Sequence, residues 1–415
     1  MKNKKVLLIT LGILFLIVQV FSQVDPYDPN YQNLKETGQL PPTPDPEPYS
    51  GEIPTMGVLN TPIPPPPTVG LLIPWDPSFT LAMPPNDDGY TNELTFPFSF
   101  CFYDTYESSC WINNNGNVSF DGPYSSYTPS GFPLNSFAML APFWADVDTR
   151  TCGQVWYKTE TSPNRMIVIW SEVGYFSQNC EKLNTFELIF TDGNDPLIGI
   201  GNTVAFSYDD MQWTTGDASS GTGGFGGSPA TVGINKGNGV DFALVGRFDH
   251  PGSDYDGPGG NPDGVDFLDN QVFVFNTCNV QNNIPPVPVG FPAGTVTVYV
   301  GDTYNLQIQF LGPEIGQTVT TVVNDGGLTG FSYTTTPGNP SVVGMQLIAS
   351  VANLGTHTIQ FSATDDGIPV GVTNKNLVIN VVQQTAQVPL SNWAVFIAIA
   401  MIGLLIYFKG GKLFG

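Results

Sequence analysis

Short-spaced carboxylates are the residues of this chain best placed to do chemistry. Asp249-His250-Pro251-Gly252-Ser253-Asp254-Tyr255-Asp256 runs on towards Asp263-Gly264-Val265-Asp266. Carboxylates on Gly-rich turns supply the hard anionic oxygens that calcium takes. Asp254, Asp256, Asp263 and Asp266 are therefore the candidate calcium ligands, although no EF-hand or repeat spacing accompanies them. His250 beside Asp249 and Ser253 has the residue types of a hydrolytic triad. Triads are fixed by three-dimensional geometry, not by adjacency in sequence, and no nucleophile elbow occurs. Asp146 and Asp148 stand two apart and would share one strand face. Such a pair could cleave glycosidic bonds or hold a cation; in a structural role it would cap a loop and engage Arg150. Gly221-Thr222-Gly223-Gly224-Phe225-Gly226 formally fits GxGxxG, but a dinucleotide site needs that run between a strand and a helix. Here Thr, Ser and Gly surround it, and it reads as a flexible loop. No catalytic residue and no cofactor other than calcium is expected.

Composition narrows the classes. Of the 13 Lys and Arg, three (Lys2, Lys4, Lys5) precede an apolar run and two (Lys409, Lys412) end the chain, which leaves 13 − 5 = 8 between them. All 36 Asp and Glu lie in that body, so its formal charge is 8 − 36 = −28. A surface so acidic repels phosphate backbones and excludes nucleic acid as a partner; it suits cations or basic partners. With two histidines, His250 and His357, and no CxxC, there is almost nothing from which to build a zinc site.

The ends of the chain read as targeting signals. The lysines at the start, the apolar run Val6 to Phe21 and the small Ser22 have the form of a secretory signal peptide over 1–22. Residues 23–70 are rich in proline, with runs at 41–48 and 62–67. Proline removes backbone donors and fixes φ, so this stretch predicts an extended, semi-rigid stalk. Near the other end, Trp393 to Phe408 is apolar and is followed by Lys409 and Lys412. It predicts a short transmembrane helix with a cytoplasmic basic end.

Between these ends the signals are those of an all-β protein. Leu94, Phe96, Phe98, Phe100 and Phe102 alternate strictly, which gives one apolar strand face. Asn113-Asn114-Asn115-Gly116 supplies a turn tolerant of positive φ, and Val118 and Phe120 resume the alternation. Further strands are expected at 154–157, 165–173, 184–190, 203–208, 230–235, 243–248 and 271–275, which makes 71–278 one β unit, a sandwich or barrel. A second unit over 283–382 has strands at 294–300, 304–310, 319–323, 344–349, 355–363 and 376–382. Its length and strand count fit an immunoglobulin-like sandwich. The two units should be separate and meet near 279–289. In an exported chain the five cysteines can oxidise. Cys152 and Cys180 flank two strands that could form a hairpin, and so lie together at its open end. Cys101 and Cys278, at the first and last strands of the unit, would clamp its edges and leave Cys110 free. The rival is Cys101 with Cys110 across a tight hairpin, with Cys278 free.

Residues 90–278 resemble the NIDO (nidogen extracellular) domain. The resemblance rests on Ile112-Asn113-Asn114-Asn115-Gly116-Asn117-Val118-Ser119-Phe120, on Leu140-Ala141-Pro142-Phe143-Trp144-Ala145-Asp146-Val147-Asp148, on Gly153-Gln154-Val155-Trp156-Tyr157, and on the Gly-rich loop 213–230 ending in Val232-Gly233-Ile234-Asn235. It implies an extracellular adhesion or matrix role without catalysis. The second unit resembles bacterial immunoglobulin-like or cadherin-like repeats through Ala363-Thr364-Asp365-Asp366-Gly367-Ile368-Pro369. The joint Asn279 to Pro285 echoes a cadherin calcium linker, with amides where that linker has carboxylates. The tail 388–415, opening Val388-Pro389-Leu390-Ser391-Asn392-Trp393, resembles exosortase-type surface-sorting signals; a plain membrane anchor is the alternative. The expected protein is an extracellular surface adhesion or structural protein. Its partners would be an extracellular protein or glycan, the membrane through the C-terminal helix, and a sorting enzyme. The alternatives are a glycan-acting hydrolase, which needs two converging carboxylates in a pocket, and a carbohydrate-binding module with Trp75, Trp111 and Trp213 as an exposed platform.

Overall fold

In a computed structural model of the protein, the described residues are 26–40, 70–103, 105–258, 261–278, 283–292, 294–312, 317–368, 370–383, 396–397 and 399–404. The expected signal segment 1–22, most of the proline-rich run and most of the apolar tail lie outside them.

Among the described residues the chain is all-β apart from short helical segments. Its regular elements open with helix α1 (Tyr31–Glu36), then β1 (Thr80–Leu81), β2 (Leu94–Phe102), β3 (Thr105–Asn113), β4 (Asn117–Ser119), β5 (Met139–Trp144) and β6 (Val147–Asp148). There follow β7 (Gln154–Thr161), β8 (Asn164–Tyr175), β9 (Asn179–Thr191), β10 (Val204–Met211), β11 (Ala230–Asn235), β12 (Phe242–His250), β13 (Asp263–Gly264) and β14 (Val272–Phe275). These strands form two seven-stranded sheets. One runs β1-β7-β8-β9-β10-β14 with β6 beside β8, and the other β13-β12-β11-β5-β4-β3-β2.

Each sheet is covered on both faces, which explains its long apolar runs. In β8, Met166, Val168 and Trp170 join the main core, while Ile167 and Ile169 pack on the far face with Leu71, Phe79 and Trp156. In β5, Leu140 and Phe143 face the main core; Met139, Ala141 and Trp144 pack outward against Tyr124, Phe132 and Phe137. Stacked and tilted aromatics fill the interior, such as Trp170 on Phe186 at 5.1 Å between centroids. Two disulfides are present, Cys152–Cys180 (Cα–Cα 6.0 Å) and Cys101–Cys278 (Cα–Cα 5.1 Å), and Cys110 is buried and free. Cys101 lies in β2 and Cys278 just after β14, so that bridge ties the outer strands of the two sheets. The Cys101–Cys110 alternative is excluded.

The second set of strands is β15 (Val287–Val289), β16 (Val296–Tyr299), β17 (Thr303–Leu311), β18 (Thr320–Asn324), β19 (Phe331–Thr336), β20 (Ser341–Ile348), β21 (Gly355–Thr364) and β22 (Val372–Val382). They form two four-stranded sheets, β15-β17-β20-β19 and β16-β22-β21-β18. Ile308, Phe310 and Val343 from one sheet meet Ile359, Phe361 and Ile379 from the other in a core of their own. The joint is more than a tether. Ile284 and Val287 pack into the first core, while Val287–Val289 pairs with Gln309–Leu311 in the second unit.

The proline-rich stalk is corrected at its start. Residues 26–40 are no spacer: α1 docks on the first unit, burying Tyr31, Lys35 and Leu40. The physical reason is composition on a finer scale. The dense prolines begin at Pro41, and the window before them holds Tyr27, Tyr31, Leu34, Lys35 and Leu40, which find partners. Strands β3, β5 and β19 also go beyond the sequence reading; β5 contains Pro142, and β19 is largely exposed and lacks a clear alternation. At the C-terminus, residues 396–397 and 399–404 are helical. Among the described residues, no helix is long and apolar enough to cross a membrane. The expected span Trp393 to Phe408 extends beyond those residues at both ends.

Candidate functional site

The chemistry of the first unit converges on a place that the chain fills with its own side chain. Asp87, Asp88 and Asp146 bring a carboxylate oxygen each within 4.8 Å of one another, and all three are buried. This has the composition of a cation site, and the cation at its centre is the ammonium of Lys35. Lys35 Nζ lies 2.7 Å from Asp146 Oδ1, 2.7 Å from Asp88 Oδ2 and 2.9 Å from Asp87 Oδ2, with the side chains fully shielded from solvent. The rings of Tyr127 and Phe176 lie 4.2 Å from Nζ at their centroids. Their electron-rich faces favour a cation there. Tyr31, one helical turn before Lys35, donates its hydroxyl to Asp88 Oδ2 at 2.8 Å.

The Asn-rich turn holds the carboxylates from behind. Asn115 Nδ2 donates to Asp88 Oδ1 at 2.7 Å, and Asn115 Oδ1 accepts from the Val147 amide at 3.0 Å. Asn114 Nδ2 donates to the carbonyls of Asp87 and Val147. Trp170 Nε1 donates to the Asn114 carbonyl at 3.1 Å, which anchors the turn to the central strand β8. The sequence signature at 112–120 is thus the cradle of the acidic site.

Electrostatics follow from burial. One ammonium cannot neutralise three desolvated carboxylates, so some must take protons. Burial, added to repulsion from Asp88, raises Asp87 well above the carboxylate range. Burial also raises Asp146 to about 7, against the opposing pull of Lys35. For Lys35, burial alone would lower the pKa, but Asp146, Asp87 and Asp88 outweigh it and the net shift is upward.

The sequence-nominated residues sort differently. Asp148 is bound by the Arg150 guanidinium, Nε to Oδ1 at 2.9 Å, and accepts the Gln178 amide at 2.8 Å. Asp146 and Asp148 are both buried and serve separate partners, the buried Lys35 and the half-buried Arg150. His250 is held at both ring nitrogens, Nδ1 by Asp249 at 2.5 Å and Nε2 by Asp254 at 3.0 Å, which leaves neither nitrogen to activate Ser253. Asp263 Oδ1 accepts the Asp256 amide at 2.8 Å, and Asp266 lies in a 3-10 turn whose amide bonds the Gly252 carbonyl. Trp213 is fully buried and donates to the Val173 carbonyl at 2.9 Å, so it cannot belong to an exposed aromatic platform. Trp75 packs against Trp156. The GxGxxG run is a loop in which Thr222 and Phe225 pair.

Sequence reasoning missed Lys35, Asp87 and Asp88. Asn86-Asp87-Asp88-Gly89 has the look of a solvated turn, and Lys35 sits in a stretch whose prolines dominate its reading. The available signal was scarcity: Lys35 is one of 8 basic residues in a body carrying 36 acids.

A second buried carboxylate sets a pH dependence. Glu187 accepts the Leu72 amide at 3.0 Å, the Ile73 amide at 3.2 Å and the Ser207 hydroxyl, pinning the segment that covers the outer sheet face. Burial nonetheless raises it to about 7. Asp263 and Asp269 are raised to about 7 by the same cause. A carboxyl raised on folding contributes stability that is full below its unfolded pKa and is lost as pH rises through the folded one. Between pH 5 and pH 8 the thermal midpoint should therefore fall, Glu187 alone accounting for on the order of 2 kcal/mol. In Glu187→Gln that slope should become shallower. A slope equal to the parent's in differential scanning calorimetry would show that Glu187 does not titrate in this window.

With the geometry in place, the class of module can be stated. Residues 75–256 match the family model described as NIDO related. Alpha-tectorin of Gallus gallus is 31% identical over 198 residues, covering 41% of this chain and 9% of that protein. Nidogen of Drosophila melanogaster is 26% identical over 161 residues, covering 32% of this chain and 12% of that protein. The chain thus spans about a tenth of the length of these relatives. Together the similarities support a NIDO domain in this chain. Among solved structures, the GspB Siglec domain aligns at a TM-score of 0.20 and 20% identity, over 24% of this chain and 58% of that one, a likeness too slight to bear on the argument.

Proposed function

We propose that this chain is an extracellular, non-catalytic adhesion or structural protein that presents a NIDO module to a protein or glycan partner in cell–matrix or cell–cell contact. The observation that carries the reading is the NIDO-related match over 75–256 on a unit closed by two disulfides. Its conspicuous carboxylates support it too, since Asp87, Asp88, Asp146 and Asp148 are all committed to internal partners. In this reading 283–382 is an immunoglobulin-like spacer, and 388–415 holds the protein at the cell surface as an anchor or a sorting signal. The spacer then sits nearest the cell and the NIDO unit farther out, where a partner can reach it.

The test is a chain ending at residue 387, compared with the whole chain in cells that export both. The whole chain should be labelled at the surface and the shortened one recovered in soluble form from the medium, where a glycan array and a panel of matrix proteins can be probed with it. Turnover of a glycan substrate by the soluble form would overturn the non-catalytic reading. Full retention on cells would place the anchor elsewhere.

A further inference from the structure

The charge of this protein is spread unevenly. Of its 36 Asp and Glu, only five (Asp302, Glu314, Asp325, Asp365 and Asp366) fall in 283–382, and from Gly326 to Thr364 the chain holds no Asp, Glu, Lys or Arg. The sheet β15-β17-β20-β19 is the extreme case, because none of its four strands carries a charged residue. Copies of so acidic a chain repel one another wherever their charged surfaces meet. At this sheet they can approach without that cost.

Strand β19 ends the sheet. It pairs with β20 along one edge and, among the described residues, with no strand along the other. An open edge presents unpaired backbone donors and acceptors, and proteins ordinarily guard it with a charge, a proline, a bulge or extreme shortness. Other outer strands of this chain are guarded in these ways. β2 contains Pro97 and a register shift, β15 is three residues long and contains Pro288, and β1 and β13 have two residues each. β19 has no such guard, and Pro337 lies beyond its end. Its pairing with β20 runs unbroken from Phe331–Leu347 to Thr336–Val342, and every residue after Phe331 is exposed. Phe, Tyr and three Thr among its six residues favour the extended strand.

We propose that two copies of the chain associate edge to edge, β19 of one pairing antiparallel with β19 of the other, so that two four-stranded sheets become one of eight strands. A second copy fits this edge for three reasons. The strand is uncharged, so identical edges do not repel. Antiparallel self-pairing is complementary to itself about a two-fold axis, and it uses up the edge, which stops growth at two. The threonines on one face of the strand then meet hydroxyl partners across the seam, a favourable cross-strand pairing. This gives 283–382 a role beyond that of a spacer and does not depend on the adhesive reading of the NIDO unit.

The test is sedimentation equilibrium on the purified whole chain. A seam of one short strand a side belongs to the small, weak class of interfaces, so concentrations should reach about 200 µM. The parent should move from monomer to dimer as concentration rises. Association should tighten with added sodium chloride, which screens the acidic remainder and leaves a neutral seam untouched. Thr334→Glu should weaken the dimer at least tenfold, whereas Gln307→Glu, which adds the same charge to an exposed position on β17, should associate as the parent does. Thermal melting of both variants checks that they fold. A parent that stays monomeric overturns the proposal, as does association that weakens with salt or survives Thr334→Glu. Equal loss in the two variants also overturns it, because the contact would then lie on the sheet face and not on its edge.

Discussion

Lys35→Ala should destabilise the first unit by about 3–5 kcal/mol, the usual cost of removing one partner from a buried ionic group. For a domain of this size that corresponds to a fall of roughly 10 °C in thermal midpoint. The variant leaves Asp87, Asp88 and Asp146 facing one another without a cation, and strips Tyr127 and Phe176 of the charge they cover. Lys35→Met separates the contributions, because it keeps most of the side-chain volume and removes the charge. If charge dominates, Met and Ala should be nearly as damaging as each other; if packing dominates, Met should recover most of the loss. Acid should also relieve both variants, since protonated carboxyls no longer repel. The deficit relative to the parent should therefore be larger at pH 8 than at pH 5. Equal melting of Lys35→Ala and parent at pH 8 would mean that α1 is not docked in solution.

Much of the first unit was legible because its strands carry local signals. Leu94 to Phe102 alternates without a break and forms β2 over that range, and Ala230–Asn235 has the bounds its pattern gave. The cysteine pairs could be read because both sit at strand ends, where topology brings them together. Strand β5 was harder to read as an element. Met139–Trp144 is buried throughout, with one face on each of two cores, so it offers no alternation to read. The acidic site was hidden for another reason: its members come from three distant stretches, 31–36, 87–88 and 146. The spacing of Asp146 suggests its neighbour Asp148 as a partner, whereas the fold supplies a lysine more than a hundred residues before it. Sequence proximity is a poor guide where a buried charge must find its counterion through the fold. The Asn-Asn-Asn-Gly run reads as a turn from its residue types alone; what it does there, holding the carboxylates, depends on side-chain directions that only the assembled sheets define.

That turn supplies the other large expected effect. Gly116 sits at φ +74°, a conformation that costs an L-residue roughly 1–2 kcal/mol. A Cβ there would stand 1.8 Å from the Phe143 carbonyl oxygen, far inside contact distance, so the turn or strand β5 would have to move. Neither can move cheaply. The Phe143 amide donates to the Gly116 carbonyl at 3.3 Å, and Phe143 itself is fully buried against Phe186 and Trp213. Shifting the turn would drag Asn114 and Asn115 away from Asp87, Asp88 and Val147. Gly116→Ala should therefore cost well over the conformational penalty, about 4 kcal/mol or more, through overpacking joined to the loss of a buried polar network. Gly223 is the matched control: its φ is +60°, and nothing lies within 4 Å of an added Cβ. Gly223→Ala should show the conformational cost alone, about 1 kcal/mol. Chemical denaturation of the two variants gives the comparison directly. If they lose equal stability, the contact with Phe143 is not a constraint in the folded protein, and the Asn-rich turn would then be free to reposition the acidic site instead of fixing it.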